Sequence, residues 1–341
     1  MSTVAVRLAG ERVSFAAHPR SVLVGLILAA TALAATLAAL VLGDITLPVG
    51  RVVQVLLGRG TGLDRLVVLD WRLPRALLAL TVGATLGMSG AIFQAVTRNP
   101  LGSPDIIGFS TGATTGTLLV VLTAAADFSL RAPAAFAGGV VTVAITWLLT
   151  RGGSRAGLHL VLVGIAITAI LTSVNRWLLL RADSDTALAA SRWILGTLDG
   201  VGWEATLPAT GLGLILCVAT AAQARHLRIV ALGDDLSTSL GVSPRRGTAV
   251  LVVLGTLLVA VATSVAGPIG FVALAAPHLA RRLTGDGDVG PVTSALMGAA
   301  LLSLCDLATG RLLPDLPVGV VTASLGGLFF VWLLTRELRR R

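Results

Sequence analysis

The chain contains no lysine: all 26 of its basic residues are arginine. A phosphate-binding loop of the GxxxxGK[ST] kind uses its lysine to reach nucleotide phosphates. A standard one is therefore excluded, and any ATP that drives this protein is hydrolysed by a partner. Cysteine is nearly absent as well. Cys217 and Cys305 stand far apart inside apolar runs, which suggests neither a disulfide framework nor a CxxC metal site. The four histidines, His18, His159, His226 and His278, are dispersed, and neither HExxH nor GxSxG occurs. Nothing marks a catalytic or metal centre. Charge is scarce too. Only 13% of the 341 residues are charged while 55% are hydrophobic, and the mean hydropathy is +0.90. This excludes an ordinary soluble domain and leaves the polytopic membrane class.

What is present is a succession of long apolar runs. A spanning helix needs about 20 apolar residues, and the runs predict ten spans, at 21–43, 74–96, 107–126, 133–150, 157–180, 206–222, 247–266, 271–283, 292–309 and 319–335. The eighth is short and interrupted by Pro277. Unbroken Leu/Ala/Val runs contradict a β-barrel, whose strands alternate over about ten residues. The first run is long for a signal peptide and is followed by no clear small-residue cleavage site, so it is expected to be retained.

Arginine placement orients the chain. With the N-terminus inside, sixteen arginines fall in cytoplasmic segments: Arg7, Arg12, Arg20, Arg98, Arg151, Arg155, Arg225, Arg228, Arg245, Arg246, Arg281, Arg282, Arg336, Arg339, Arg340 and Arg341. The opposite loops carry mixed charge. Ten spans with both termini cytoplasmic are self-consistent, and the net charge of +9 reads as membrane topology, not nucleic-acid binding. No linker divides the chain, so residues 1–341 form one transmembrane domain. Residues 1–20 are its cytoplasmic N-terminal segment, and 223–246 its largest cytoplasmic connection.

The most specified stretch is 83–113, GATLGMSGAIFQAVTRNPLGSPDIIGFSTGA. Gly83, Gly87, Ser89 and Gly90 allow neighbouring helices to approach closely in lipid, and Pro100 and Pro104 end one helix and set the start of the next. A faint echo joins Gly90-Ala91-Ile92-Phe93 and Arg98-Asn99-Pro100 to Gly267-Pro268-Ile269-Gly270-Phe271, Pro277-His278 and Arg281-Arg282. Such echoes accompany inverted repeats in transporters. In the outer loop after span one, Val49, Val52, Val53, Leu56 and Leu57 recur at helical spacing opposite Arg51 and Gln54, which predicts a short interfacial helix.

Several residues carry chemistry, each with a bland alternative. Residues 231–242 read as a short helix bounded by Gly233 and Gly241. Asp234 and Asp235 suit its N-terminus, and Leu236, Leu240 and Val242 are placed to touch a partner; otherwise the segment is a solvated loop. Arg72 and Arg75 flank Leu73-Pro74 at the outer mouth of span two, either snorkelling to headgroups or forming a basic patch for carboxylates, which Arg311 joins. Asp306 lies near the outer end of span nine, as a functional acid or as the partner of an arginine. His278 either titrates near neutral pH or hydrogen-bonds at a helix break. Gly164, Thr168, Thr172 and Asn175 share one face of span five, lining a path or packing against another helix.

Five ordered segments carry a resemblance over nearly the whole chain: Arg72-Leu73-Pro74-Arg75, SGAIFQAVTRNPLGSPDIIGFSTGA (89–113), LGDDLSTSLGV (232–242), AGPIGFVALAAPHLARRLTG (266–285) and LPVGVVTASLGG (316–327). The chain resembles the permease subunits of ABC importers for ferric siderophores, haem and vitamin B12. The resemblance implies an all-α type II importer permease in the cytoplasmic membrane. It implies a second permease subunit, two ATPase subunits that bind ATP and Mg, and an extracytoplasmic binding protein; the chain itself is expected to hold no cofactor or metal and to catalyse nothing.

The family's ATPase-coupling helices correspond to Leu232, Gly233, Asp234, Asp235, Leu236, Leu240 and Gly241. Its outer docking arginines correspond to Arg72 and Arg75, and loosely to Arg311, because the Asp306–Pro317 stretch is about three residues shorter than usual and Asp315 stands where glutamate is common. Phe271-Val272-Ala273-Leu274, Gly326-Gly327-Leu328 and Asn99–Asp105 look like the second permease of ferric-enterobactin systems. That branch implies a heterodimer and a ferric siderophore, of catecholate type. The alternatives are a haem or cobalamin permease of the same family, an ion-coupled secondary transporter using Asp306, and a structural or receptor membrane protein.

Overall fold

The computed structural model describes residues 4–8, 13–17, 19–43, 45–60, 62–123, 128–150, 156–285, 290–313 and 316–338. Arg12, Arg151, Arg155, Asp315, Arg339, Arg340 and Arg341 lie outside them. Val4–Leu8 and Val13–Ala17 pair as two antiparallel strands; every other regular element among the described residues is helical. Helix α1 (Pro19–Val41) is followed by α2 (Val49–Leu56), α3 (Gly62–Arg65) and α4 (Leu73–Thr97). Next come α5 (Phe109–Thr123), α6 (Phe128–Thr150), α7 (Ala156–Arg181), α8 (Ser184–Ile194) and α9 (Trp203–Ala222). Short helices α10 (Ala224–Ala231) and α11 (Asp234–Ser239) lead to α12 (Pro244–Ala266), α13 (Val272–Thr284), α14 (Pro291–Leu312) and α15 (Val318–Leu338).

Seven of these stretches are long and apolar enough to cross a membrane, and Phe109–Leu122 and Val318–Trp332 are shorter apolar helices. The eighth expected span, 271–283, is different. Helix α13 has 13 residues, about 20 Å at helical rise, against a hydrocarbon core of about 30 Å. Residues 267–271, which precede it, are not helical. Gly267 at φ 68° ends α12, and Phe271, also at φ 68°, starts α13. The interruption therefore lies before α13, not at Pro277, which sits inside the helix. Pro277 has no N–H for the Ala273 carbonyl one turn earlier. Non-helical backbone at membrane depth is tolerated only where protein covers it; here Ile269 and Val272 are buried, and the Thr197 N–H donates to the Ala266 carbonyl at 2.8 Å.

Helix α4 forms the centre. From Leu78 to Ala95 almost every side chain is buried, as expected of a helix apolar on all sides. Its neighbours come close because their contacts are glycine. A Cβ on Gly83 would lie 2.4 Å from the Gly298 carbonyl oxygen, and one on Gly87 would lie 2.2 Å from that of Ser294, both on α14. Gly90 faces the Ala273 carbonyl left without a donor by Pro277, with a built Cβ only 1.7 Å away. Gly112 and Gly116 of α5 meet Gly138 and Ala134 of α6 in the same manner. The outer helices present apolar side chains instead: Leu23, Leu26, Ile27, Leu33 and Leu37 of α1 are exposed, a lipid-facing surface.

Between α3 and α4 the chain winds as a π-helix, Leu66–Arg72, in which the Leu73 N–H donates to the Val68 carbonyl. The next π-type donor would be Pro74, which has none. The Trp203 indole fills that gap, donating to the Leu69 carbonyl at 2.8 Å. Helix α2 forms where the valine spacing predicts one, but its inner face is Val52 and Val55, with Val49, Val53, Leu56 and Leu57 exposed. Helix α8 lies in the 181–205 loop, where no helix was expected; Asp183 caps it by accepting the Thr186 N–H at 3.0 Å. That bond holds the exposed Asp183 carboxyl below its ordinary value.

The two echoed segments pack on each other. Gln94, buried in α4, donates to the Leu274 carbonyl at 3.0 Å and accepts from Arg281 at 2.6 Å. Arg98 and Phe271, one in each segment, are the non-glycine residues with positive φ among those described. Because Gly90 touches backbone that cannot yield, Gly90→Ala is expected to cost about 1–3 kcal/mol and lower the apparent Tm in detergent. Gly211→Ala, which meets nothing within 4 Å, is expected to leave the Tm unchanged.

Candidate functional site

Polar residues gather at the two ends of α4. At the outer end lies a pocket of about 360 Å³, lined among others by Arg72, Arg75, Asp199, Asp306, Arg311 and Trp71. The fold thus brings Arg311 to Arg72 and Arg75, from which the sequence separates it by more than two hundred positions. Their local roles differ. Arg72 donates to the carbonyls of Leu40 at 2.9 Å, Val41 at 3.3 Å and Ile45. It serves the unsatisfied carbonyls at the end of α1, and Gly43 makes room for it: a Cβ there would lie 2.6 Å from the guanidinium. Arg75 spans two carboxylates, its Nε donating to Asp306 Oδ1 at 2.8 Å and its Nη1 to Asp199 Oδ1. Arg311 lies exposed on the last turn of α14.

Asp306 is 4% exposed, and a buried carboxylate is tolerated only when paired. Of the alternatives open for it, the structure contains the arginine partner, Arg75. Asp199, which sequence reasoning missed, is 57% exposed and stands on the loop after α8. The Thr197 hydroxyl donates to its Oδ2 at 3.1 Å, and the Asp199 N–H donates back to that hydroxyl at 3.0 Å. The spacing Thr-x-Asp is the signal that would have found this turn.

At the other end of α4, Arg98 takes a left-handed conformation (φ 50°) and ends the helix. Its guanidinium pairs with Asp234 and reaches the Val230 carbonyl at 3.4 Å. The break after α4 is thereby tied to residues 223–246. Those residues form two short helices: α11, the helix expected between Gly233 and Gly241, and α10 before it, with the bend at Leu232–Gly233. Gly233 has φ 113° and ψ 165°, a region only glycine enters without strain. Ser237, fully buried, donates to the carbonyls of Gly233 at 2.6 Å and Ile229 at 3.0 Å and locks the bend. Leu232, Leu236 and Leu240 project outward, each more than half exposed; Val242 is half-buried instead. Asp235 lies beside Asp234 in the first turn, and Gly241, at φ 76°, ends the unit. In the same break Asp105 accepts from Ser110; burial pushes its carboxyl up, and this bond opposes the shift.

The span-five stripe faces α5 and the turn before it. Asn175 is buried, accepting from the Thr115 hydroxyl at 2.7 Å and donating to the Thr111 carbonyl at 3.2 Å. Thr172 donates to the Thr168 carbonyl at 2.7 Å, while Thr168 and Gly164 lie against Gly108. His278 stands edge-on to Phe329 with ring centroids 5.7 Å apart, beside Trp332 under Arg282.

Residues 22–336 match the FecCD transport family. The chain belongs to this family. It is 43% identical over 301 residues to the ferric enterobactin transport system permease protein FepG of Escherichia coli, covering 88% of this chain and 91% of that protein. To the hemin transport system permease protein HmuU of Yersinia pestis it is 36% identical over 284 residues, covering 80% and 84%. Its fold matches a metal-chelate type ABC transporter in an inward-facing conformation with a TM-score of 0.82 at 25% identity, over 92% of this chain and 99% of that one. This member of the FecCD family is a multi-pass membrane permease of an ABC importer. It is not itself an enzyme, and it works with an ATPase and a binding protein.

Both ends of α4 give measurable expectations. Arg75→Ala leaves Asp306 buried without its cation and is expected to cost about 3–5 kcal/mol; Arg75→Ala with Asp306→Ala recovers most of it, read by thermal unfolding in detergent. Asp234→Arg sets two arginines together and is expected to abolish uptake while the protein still inserts. Adding Arg98→Asp restores opposite charges and a measurable fraction of transport. Uptake at the wild-type rate in the single variant would leave the Arg98–Asp234 pair without a part in transport.

Proposed function

We propose that this permease carries a ferric siderophore of catecholate type across the cytoplasmic membrane by alternating access, paired with a related permease chain. The observation that carries the reading is its similarity, over nearly its full length, to a ferric enterobactin permease. In this reading two ATPase subunits bind ATP and Mg, and the iron stays ligated by its siderophore, with no cofactor on this chain.

The coupling surface is the bent unit Leu232–Gly241, where an exposed leucine row beside a paired aspartate gives a partner both an apolar contact and a register. An exposed ion pair such as Arg98–Asp234 contributes at most about 1 kcal/mol. Its role is therefore to orient the α10–α11 unit against α4, so that ATPase closure is passed to the spans. The outer pocket is the docking surface for acidic side chains of the binding protein, since arginine and carboxylate pair in bidentate geometry. The span-five stripe packs helices rather than lining a path.

Deleting the gene and supplying iron as a panel of ferric siderophores, with haem and cobalamin as separate arms, tests the substrate. Loss of growth on catecholate complexes alone, restored by the gene in trans, is expected. A defect confined to haem or cobalamin would assign the chain to another substrate of its family.

A further inference from the structure

Among the described residues, the Arg75 guanidinium holds two differently placed carboxylates. Its inner edge is held by Asp306, which is buried and belongs to α14; its outer edge is held by Asp199, which is more than half exposed and belongs to a loop. The inner pair cannot exchange without leaving a buried carboxylate unpaired. The outer pair can, because an exposed ion pair is weak and both groups regain water or a new partner. Asp199 also faces the pocket that collects Arg72 and Arg311, where it offsets part of the positive field that attracts a carboxylate.

We infer that Asp199 is an internal stand-in for the docking partner's carboxylate: it holds the outer edge of Arg75 until an acidic side chain of the binding protein takes its place. The inference rests on the outer pocket being the docking surface. No covalent bond is made or broken in the exchange; one carboxylate replaces another on Arg75 Nη1.

The loop that carries Asp199 is joined to the parts of the fold that interrupt the membrane helices. Its Thr197 N–H donates to the Ala266 carbonyl at 2.8 Å, and the Gly196 carbonyl accepts from the Gly319 N–H at 3.0 Å. These contacts sit at the head of the non-helical 267–271 stretch and at the start of α15. Leu198, 1% exposed, anchors the loop between them. Release of Asp199 therefore frees one of the ties holding this loop in place, and the occupancy of Arg75 is reported to the backbone above α13.

The test is the affinity of the importer's own substrate-binding protein for the complete permease–ATPase complex in nanodiscs, measured across ionic strength. Asp199→Asn keeps the size of the side chain and removes its charge. It is expected to tighten docking about two- to fivefold at low salt and to steepen the loss of affinity as salt rises. Asp199→Ser is expected to do the same. Unchanged or weaker docking in both variants, beside wild-type docking that weakens with salt and fails in Arg75→Ala/Asp306→Ala, would overturn the exchange and leave the docking surface standing. Docking indifferent both to salt and to that double variant would overturn the docking surface itself, and the inference with it.

Discussion

The close approach of backbone to backbone along one face of α4 is what the rest of the structure depends on. In lipid, apolar side chains gain nothing by leaving the bilayer for each other, so helices associate through dispersion contacts and polar groups at short range. Gly83, Gly87 and Gly90 give α4 that range: α14 lies against the first two and α13 against the third. The last contact also uses the carbonyl that Pro277 leaves without a donor. Once these two helices are seated, Gln94 is buried among backbone and can be satisfied only by α13, which supplies the Leu274 carbonyl and Arg281.

Helix α4 then serves as a rod between two surfaces. Arg75 and Arg98 mark its ends, 23 positions apart in the sequence, about 35 Å at helical rise. Each arginine takes an exposed aspartate, Asp199 from the loop after α8 and Asp234 from the first turn of α11. Both arginines have a second hold on the fold, through Asp306 and the Val230 carbonyl respectively. A change at either surface thus meets a rigid helix packed on all sides by the other spans, and close-packed interiors transmit displacement rather than absorbing it.

Much of this was legible from the residues. Apolar runs located the spans to within a few positions, because each must cross the same hydrocarbon thickness. The glycine-rich 83–113 stretch announced both the tight crossing and the break. The bend at Gly233 was harder to read: two glycines eight residues apart mark the one helix they bound, α11, but not the α10 helix before Gly233, which the positive φ and the Ser237 bonds set at an angle to it. The roles of the outer arginines were not legible. Arg72 and Arg75 look equivalent around Leu73-Pro74, yet one caps α1 and the other bridges two carboxylates.

The sequence by itself determined the membrane class, the span positions and the family. These follow from hydropathy and ordered motifs, all of which are local along the chain. Tertiary structure alone decided which carboxylates Arg75 holds, that Asp234 answers to Arg98, that the echoed segments pack on each other, and that the eighth span is part helix and part extended chain. The physical reason is distance in sequence. Arg75 and Asp306 are 231 residues apart and Arg98 and Asp234 are 136 apart, so their pairing depends on how the helices pack, which glycine at a few crossings permits and no local pattern encodes.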